Sequence, residues 1–254
     1  TKELINIVLS KKYNTVATKG NLNNHIGVPL TLLAMNSNTE IGIVEMGAND
    51  HKEIELLCKI AKPDYGYITN FGKAHLEGFG SLEGVIEAKT EMYRYLKSKK
   101  NTVFVNFNDT KQRKHSEGIN RYTFGDEDQN CIIKLVDASN EVLLNYQNTT
   151  IQSHLIGQYN YTNIAASIAI GEFFNVTAQN IKAAIEHFIP ANNRSQLIEK
   201  GTNSIILDAY NANPSSMMAA LENFIQSQGN QKTVFLGDMF ELGSDAEKEH
   251  QNIV

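Results

Sequence analysis

The sequence contains no tryptophan, two cysteines and four prolines in 254 residues. Two thiols, Cys58 and Cys131, are too few for a disulfide framework or a cysteine-built zinc site, which suits a reducing cytoplasm. No apolar run approaches the roughly 20 residues that span a bilayer, and no charged-then-apolar leader opens the chain, so membrane insertion is not expected. Positive charge is not in excess either: 23 Lys and Arg face 28 Asp and Glu, a formal net charge of -5. Nucleic-acid binding needs dense cations to displace counterions from phosphates, and it too is not expected. What is present is a composition of 41% apolar and 20% charged residues, enough for a sizeable core. At roughly 100 to 200 residues per domain, the length allows one large domain, or one domain and part of a second.

Hydrophobic spacing organises the chain. Leu4, Ile5, Val8 and Leu9 fall at helical intervals from the first residues, with no convincing cap in front of them. Ile41 to Met46 reads as a buried strand, Gly47 to Asp50 as a turn, and Ile54, Leu57, Cys58 and Ala61 as a helix face stopped by Pro63. A strand over Tyr65 to Asn70, a helix over Leu82 to Leu96 and a strand over Thr102 to Asn106 continue the alternation. Such an order predicts an α/β fold: a mostly parallel central sheet flanked by helices. Between Arg121 and Ile156 the pattern changes to short runs, Cys131 to Val136, Val142 to Tyr146 and Thr150 to Ile156, punctuated by Asn and Asp. These predict a small antiparallel annex. Helices over Asn160 to Phe174 and Thr177 to Phe188 lead to the stretch Ile189-Pro190-Ala191-Asn192-Asn193, a domain boundary that divides the chain into 1–193 and 194–254. Beyond it, strands at Ser204 to Asp208 and Thr233 to Leu236, with helices from Pro214 and about Asp245, repeat the α/β rhythm. There is no internal repeat, and both ends look cut from a longer protein.

Three side chains stand out chemically. Lys89 falls on the apolar stripe made by Leu82, Val85, Ile86, Met92, Tyr93 and Leu96, while Glu83, Glu87 and Glu91 lie elsewhere. An inward lysine is desolvated toward its neutral amine, which can act as a nucleophile or react with carbon dioxide; the alternative is a lysine that snorkels its head to water. Glu45 ends a buried strand, where an open parallel sheet gathers its ligands, so its carboxylate is placed to hold a divalent cation or to face solvent. His75 follows the next strand and falls near the same edge, as a site residue or a surface loop histidine. Asn160, Asn163 and Ser167 form a polar edge on an otherwise apolar helix, suited to a ribose or base, or to water. Asn213 before Pro214 is a helix N-cap, whereas Asp208 at a strand end has no evident structural role.

Several strings together resemble the Mur ligases, ATP-dependent amide-forming enzymes of peptidoglycan assembly. They are Gly20-Asn21-Leu22-Asn23-Asn24-His25-Ile26-Gly27-Val28-Pro29, the Glu45 segment, Thr69 through Lys89, and Gly157-Gln158-Tyr159-Asn160-Tyr161-Thr162-Asn163. The strings Asp208 through Pro214 with Met217, and Gly237-Asp238-Met239-Phe240-Glu241-Leu242-Gly243, complete the set. The last two point to the member that joins D-alanyl-D-alanine to UDP-N-acetylmuramoyl-tripeptide in the cytoplasm.

The resemblance implies a P-loop NTPase-like central domain followed by the start of a Rossmann-like C-terminal domain. It also implies ATP and two Mg2+ ions. Glu45 matches the carboxylate on the ATP-bound magnesium; Lys89 matches a carbamylated lysine that, with His75, holds the second. Asn163 and Asp208 match residues around adenine and ribose, Arg194 a phosphate-binding arginine at the hinge, and Asn24 an asparagine near the nucleotide, with Asn213 in the same nucleotide-side group. The expected partners are the UDP-linked tripeptide and the dipeptide, on a monomer. One departure is large: no G-x-x-G-K-T phosphate loop occurs. In the family that loop directly precedes the helix near Thr1, so the given chain is expected to start after it, to lack the N-terminal domain and most of the C-terminal one, and to be inactive alone. The rivals are another amide ligase of the superfamily, such as folylpolyglutamate synthase, or a non-catalytic nucleotide-binding domain.

Overall fold

The computed structural model describes residues 1–190, 193–227, 229 and 231–254. Ala191 and Asn192, within the expected domain boundary, lie outside the described residues. The chain opens with α1 (Lys2–Leu9), β1 (Thr15–Ala17), α2 (Gly27–Leu33), β2 (Ile41–Ile43) and α3 (Glu53–Ala61). Helix α1 is too short to persist alone, and its buried Leu4, Val8 and Leu9 stabilise it by roughly 1.5–3 kcal/mol each. Helix α3 buries Ile54, Leu57 and Cys58, the periodic face read from the sequence, and ends where Lys62 turns left-handed at φ 49° before Pro63. Strands β1 and β2 pair in parallel as a separate two-stranded sheet.

β3 (Tyr65–Tyr67), α4 (Leu76–Phe79), α5 (Leu82–Lys89), α6 (Glu91–Lys99), β4 (Thr102–Asn106), α7 (Thr110–His115) and β5 (Asn120–Gly125) follow. The meander β6 (Cys131–Asp137), β7 (Glu141–Tyr146) and β8 (Thr149–Ile156) completes a six-stranded sheet in the order β3-β4-β5-β6-β7-β8. Its first four strands pair in parallel and its last three antiparallel. The antiparallel annex therefore exists, and it is continuous with the parallel sheet through β5 and β6. Gln147 and Asn148, at φ 47° and 60°, form the two-residue turn that lets Tyr146 pair with Thr149. Helix α8 (Gln158–Phe173) is buried over Ile164 to Gly171 because Ala165, Ala166 and Ala169 allow close approach on every side. It packs on α1, β4, β5, β6 and β7 as the central helix, with α9 (Ala178–Glu186) beside it.

The last segment contains β9 (Gln196–Lys200), β10 (Asn203–Leu207), α10 (Pro214–Gln226), a 3-10 turn at Gly243–Asp245 and α11 (Ala246–Ile253). β9 and β10 form an antiparallel hairpin; the strand expected at Ser204 to Asp208 is β10, and β9 is its unexpected partner. Met239 and Leu242 bury against Leu76, Phe79, Val85 and Ala88, so this segment packs on the α4–α5 region. No helix among the described residues is long and apolar enough to cross a membrane.

Five expectations need correction, the first being the strand expected over Tyr65 to Asn70, which stops at Tyr67. The strand expected over Ile41 to Met46 stops at Ile43, because β1, its one partner among the described residues, ends at Ala17. The single helix expected over Leu82 to Leu96 is two helices broken at Thr90, whose hydroxyl donates to the Ile86 and Glu87 carbonyls at 2.8 and 3.0 Å. Glu91, expected off the buried face, is only 5% exposed. Thr233 to Leu236 is not a strand: no strand lies beside it among the described residues, and Phe235 is 94% exposed.

Candidate functional site

Polar side chains converge where α1 starts, β2 runs out and α8 begins. The Thr1 hydroxyl donates to Asn163 Oδ1, Asn163 Nδ2 donates to Asn160 Oδ1 (3.2 Å), and Asn160 Nδ2 donates to the Ile156 carbonyl (2.8 Å). Gly157 opens α8 at φ 86°, and a Cβ there would sit 2.7 Å from the Tyr159 ring, so only glycine fits. Asn160 also reaches Ser195 Oγ at 3.4 Å, and Ser195 N–H donates to Asp208 Oδ1 at 3.3 Å. The Tyr159 phenol shares a hydrogen bond with Ser195 Oγ; burial pushes it up to about 12, so it stays protonated. Asn160 and Ser167 are both buried, so the polar edge of α8 is an internal network rather than a water-facing one. Ser167 is satisfied by the Ile164 carbonyl at 2.7 Å.

Arg194 stacks on Tyr210, its guanidinium carbon 3.8 Å from the ring centroid. Asp208 is exposed by surface area, yet the surrounding protein raises its carboxyl above the ordinary carboxylate range against the opposing pull of the Ser195 N–H and Arg194. Contacts run from Glu45 to Lys2, from its neighbour Thr1 to Asn163 and Asn160, and on through Ser195, the neighbour of Arg194, to Asp208, so these side chains share one rim.

Glu45 itself is half-buried, two residues past β2. Asn23 Nδ2 donates to its Oε1 (3.0 Å), Thr18 Oγ1 accepts its backbone N–H (2.9 Å), and Lys2 Nζ stands 3.8 Å from its Oε2. Lys2 is a residue that sequence reasoning passed over. Its side chain, 10% exposed, also donates to the Gly20 carbonyl at 3.1 Å, and only its adjacency to the helix start could have flagged it. Asn24 and Asn213 already have structural work. Asn24 Oδ1 accepts the Ile26 and Gly27 N–H groups ahead of α2, and Asn213 with Ser216 forms a reciprocal capping box at α10.

Lys89 and His75 flank a second patch on the segment after β3. Lys89, the last residue of α5, is half-buried and donates from Nζ to the Asn70 carbonyl at 2.8 Å. Burial lowers its ammonium to about 8 from an ordinary 10.5. His75, left-handed at φ 53°, precedes α4 and bonds through Nδ1 to Glu241. No hydrogen bond or ion pair joins any two of Glu45, His75 and Lys89 among the described residues. Nor do three His, Cys, Asp or Glu side chains there gather closely enough to hold a metal. The loop after Glu45 does abut the His75 segment: a Cβ on Gly78 would fall 1.9 Å from the Asn49 carbonyl oxygen, and His51 packs edge-on against Phe79.

Comparison with known proteins gives the arrangement its context. Residues 1–171 match the Mur ligase middle domain, and residues 193–254 match the Mur ligase, glutamate ligase domain. The chain is 36% identical over 256 residues to UDP-N-acetylmuramoyl-tripeptide--D-alanyl-D-alanine ligase of Bacillus subtilis, covering 99% of this chain and 56% of that protein. The Escherichia coli protein of the same name is 31% identical, with 99% and 58% covered. Among solved structures, MurF from Acinetobacter baumannii superposes with a TM-score of 0.88 at 31% identity, covering 99% of this chain and 57% of that one. MurF ligase from Thermotoga maritima in complex with ADP gives 0.83 at 26% identity, covering 99% and 60%. The chain spans a little over half the length of the curated relatives it matches. With both segments matched and the likeness running from end to end, the chain belongs to the Mur ligase family.

Proposed function

We propose that the full-length protein carrying this chain is an ATP-dependent ligase that adds D-alanyl-D-alanine to UDP-N-acetylmuramoyl-tripeptide in cytoplasmic peptidoglycan precursor synthesis. The observation that carries the reading is identity of 36% over 99% of the chain to a relative bearing that name. In this reaction the tripeptide's terminal carboxylate attacks the γ-phosphate of ATP, releasing ADP and forming an acyl phosphate. The dipeptide amine then attacks the acyl carbon, loses a proton, and the tetrahedral intermediate expels phosphate to leave the amide. The leaving group comes from ATP, so the protein's part is to orient reactants and to balance charge.

The rim residues suit that part. Asn163 and Asp208 offer an amide and a carboxylate to adenine and ribose, and Arg194, held by stacking on Tyr210, offers a planar cation to phosphate. Asn24 and Asn213 are assigned to the nucleotide side by the family likeness alone; their own bonds serve the turn before α2 and the cap of α10. An ADP-bound relative supports nucleotide binding at this fold. Glu45 presents a hard carboxylate that keeps contact with water, which fits Mg2+. An amine at Lys89 does not fit that ion, but its carbamate would. With its ammonium lowered to about 8, about half of Lys89 is neutral at that pH, against well under one per cent of an ordinary lysine. Its amine nitrogen then adds to carbon dioxide with loss of a proton. The carbamate oxygens and the His75 imidazole would hold the second ion, and bound magnesium would neutralise the phosphate charge.

The test is phosphate release by the full-length protein with ATP, UDP-linked tripeptide and one acceptor at a time. Release with D-alanyl-D-alanine and not with glutamate or a diamino acid is expected. Release only with another acceptor reassigns the ligase, and nucleotide binding without turnover on any acceptor sinks the enzymatic reading.

A further inference from the structure

His75 and Glu241 meet across the seam between the segment after β3 and the stretch before the 3-10 turn. Both are non-glycine residues in left-handed backbone, at φ 53° and 61°. Each such residue costs about 1 kcal/mol or more, and it persists only where its surroundings hold it there. Here the surroundings are plain. The Glu77 N–H donates to the Glu241 carbonyl at 3.1 Å, Lys73 N–H donates to Ser215 Oγ at 2.8 Å, and Lys73 Nζ donates to Glu249 Oε1 at 2.6 Å. Leu76 and Phe79 bury against Met239 and Leu242 beneath them. Two independent bonds, one from backbone and one from side chain, thus pin Glu241 to the His75 turn.

The side-chain bond has a chemical consequence. An ionised carboxylate only accepts, so the His75 Nδ1 that bonds to Glu241 must carry the hydrogen. In the neutral ring Nε2 is then left with its lone pair, and among the described residues it makes no hydrogen bond. Histidines that ligate metals are commonly oriented by a carboxylate on their other nitrogen, and losing that partner costs 10- to 100-fold in metal affinity or activity.

We propose that Glu241 is a positioning residue for His75: it holds the imidazole as the Nδ1–H tautomer with Nε2 presented for ligation, so the ring is set only when the C-terminal segment is docked. The use of that nitrogen rests on the site role given to His75 above; the tautomer and its dependence on Glu241 do not.

The experiment is two-bond nitrogen–proton correlation NMR of this chain with 15N-labelled histidine, at alkaline pH where the ring is neutral, with His75 identified by its loss in His75→Gln. The expected result is Nδ1–H in the unmodified chain and a shift toward Nε2–H, the form free histidine prefers, in Glu241→Ala. An Nε2–H ring in the unmodified chain overturns the proposal without any variant, as does an unchanged tautomer in folded Glu241→Ala. In the full-length protein, Glu241→Ala is expected to lower kcat about 10- to 100-fold with KM for ATP little changed, and Glu241→Gln, which keeps an acceptor oxygen, to recover part of it. If the tautomer shifts as expected while the full-length protein ligates nothing, the positioning stands and the proposed function falls.

Discussion

The carboxylate of Glu91 caps a helix to which it does not belong. It sits at the start of α6, and its Oε1 and Oε2 accept the N–H groups of Lys52 (2.7 Å) and Glu55 (2.9 Å) at the start of α3. Lys52 itself is left-handed, at φ 66°, so α3 has no side-chain cap of its own. The arrangement explains why a charged side chain is nearly fully buried directly after the helix break at Thr90. Negative charge at a helix N-terminus is favourable, and Arg94 lies 4.0 Å away as a partial counter-ion.

Removing that cap takes the acceptor from two backbone donors at a partly buried helix start. Glu91→Ala is expected to destabilise the chain by about 1–3 kcal/mol, and Glu91→Gln by less because one acceptor survives. Urea unfolding of both variants checks this, and equal stability of Glu91→Ala and the parent would refute it.

Gly78 tests the junction between the loop after Glu45 and the His75 turn. Because a Cβ there would fall 1.9 Å from the Asn49 carbonyl, Gly78→Ala must push two backbones apart. A loss of about 1–3 kcal/mol is expected, with amide exchange accelerating at residues 46–51 and 75–79 rather than in the six-stranded sheet. Exchange that stays uniform would contradict the contact.

Lys89→Ala in the full-length protein is expected to lower ligation about 100-fold, with partial restoration by a short-chain carboxylic acid at high concentration, which replaces the carbamate oxygens. Restoration separates a missing ligand from a damaged fold. Ligation at the parent's rate would remove Lys89 from the site.

Cys58 gives a pH signature. Burial, with Glu91 nearby, pushes its thiol up to about 12 from an ordinary 9. The folded chain therefore keeps a proton that the unfolded chain loses, and stability from this group is full below about 9 and falls as pH rises through about 12. Iodoacetamide, which needs thiolate, is expected to leave Cys58 and the buried Cys131 unmodified in the folded chain and to label both in denaturant. Rapid labelling of the folded chain at mildly alkaline pH would show the sites to be open.

Much of this was legible along the chain. The faces of α1 and α3, the strand β4, the antiparallel runs and the Asn213 cap all follow from local spacing, because each depends on residues within about two turns of one another. The candidate rim was legible through strings whose joint order resembles one family. His75 was marked by its loop and Lys89 by its stripe, yet neither spacing nor composition marked Glu241, which lies 166 positions from its partner. Lys2 was missed likewise: nothing local says that its ammonium lies among the carbonyls of a loop and a carboxylate more than forty residues away. The helix break at Thr90 was hidden because the apolar spacing runs unbroken through it, while the hydroxyl that bends it competes for backbone carbonyls one turn back.

Alone, the amino-acid order determined the α/β alternation, where the helices and most strands lie, and the family, since those rest on short-range periodicity and on motif order. Tertiary structure decided which polar groups meet: that Glu91 caps α3, that Asn160 and Ser167 are internal, that Glu45 shares a rim with Asn163, Arg194 and Asp208, and that His75 is gripped by Glu241. The reason is physical. Local spacing sets which face of an element is apolar, whereas the partner of a buried polar atom is chosen by how distant elements pack, where an unpaired donor or acceptor costs as much as several well-placed ones contribute.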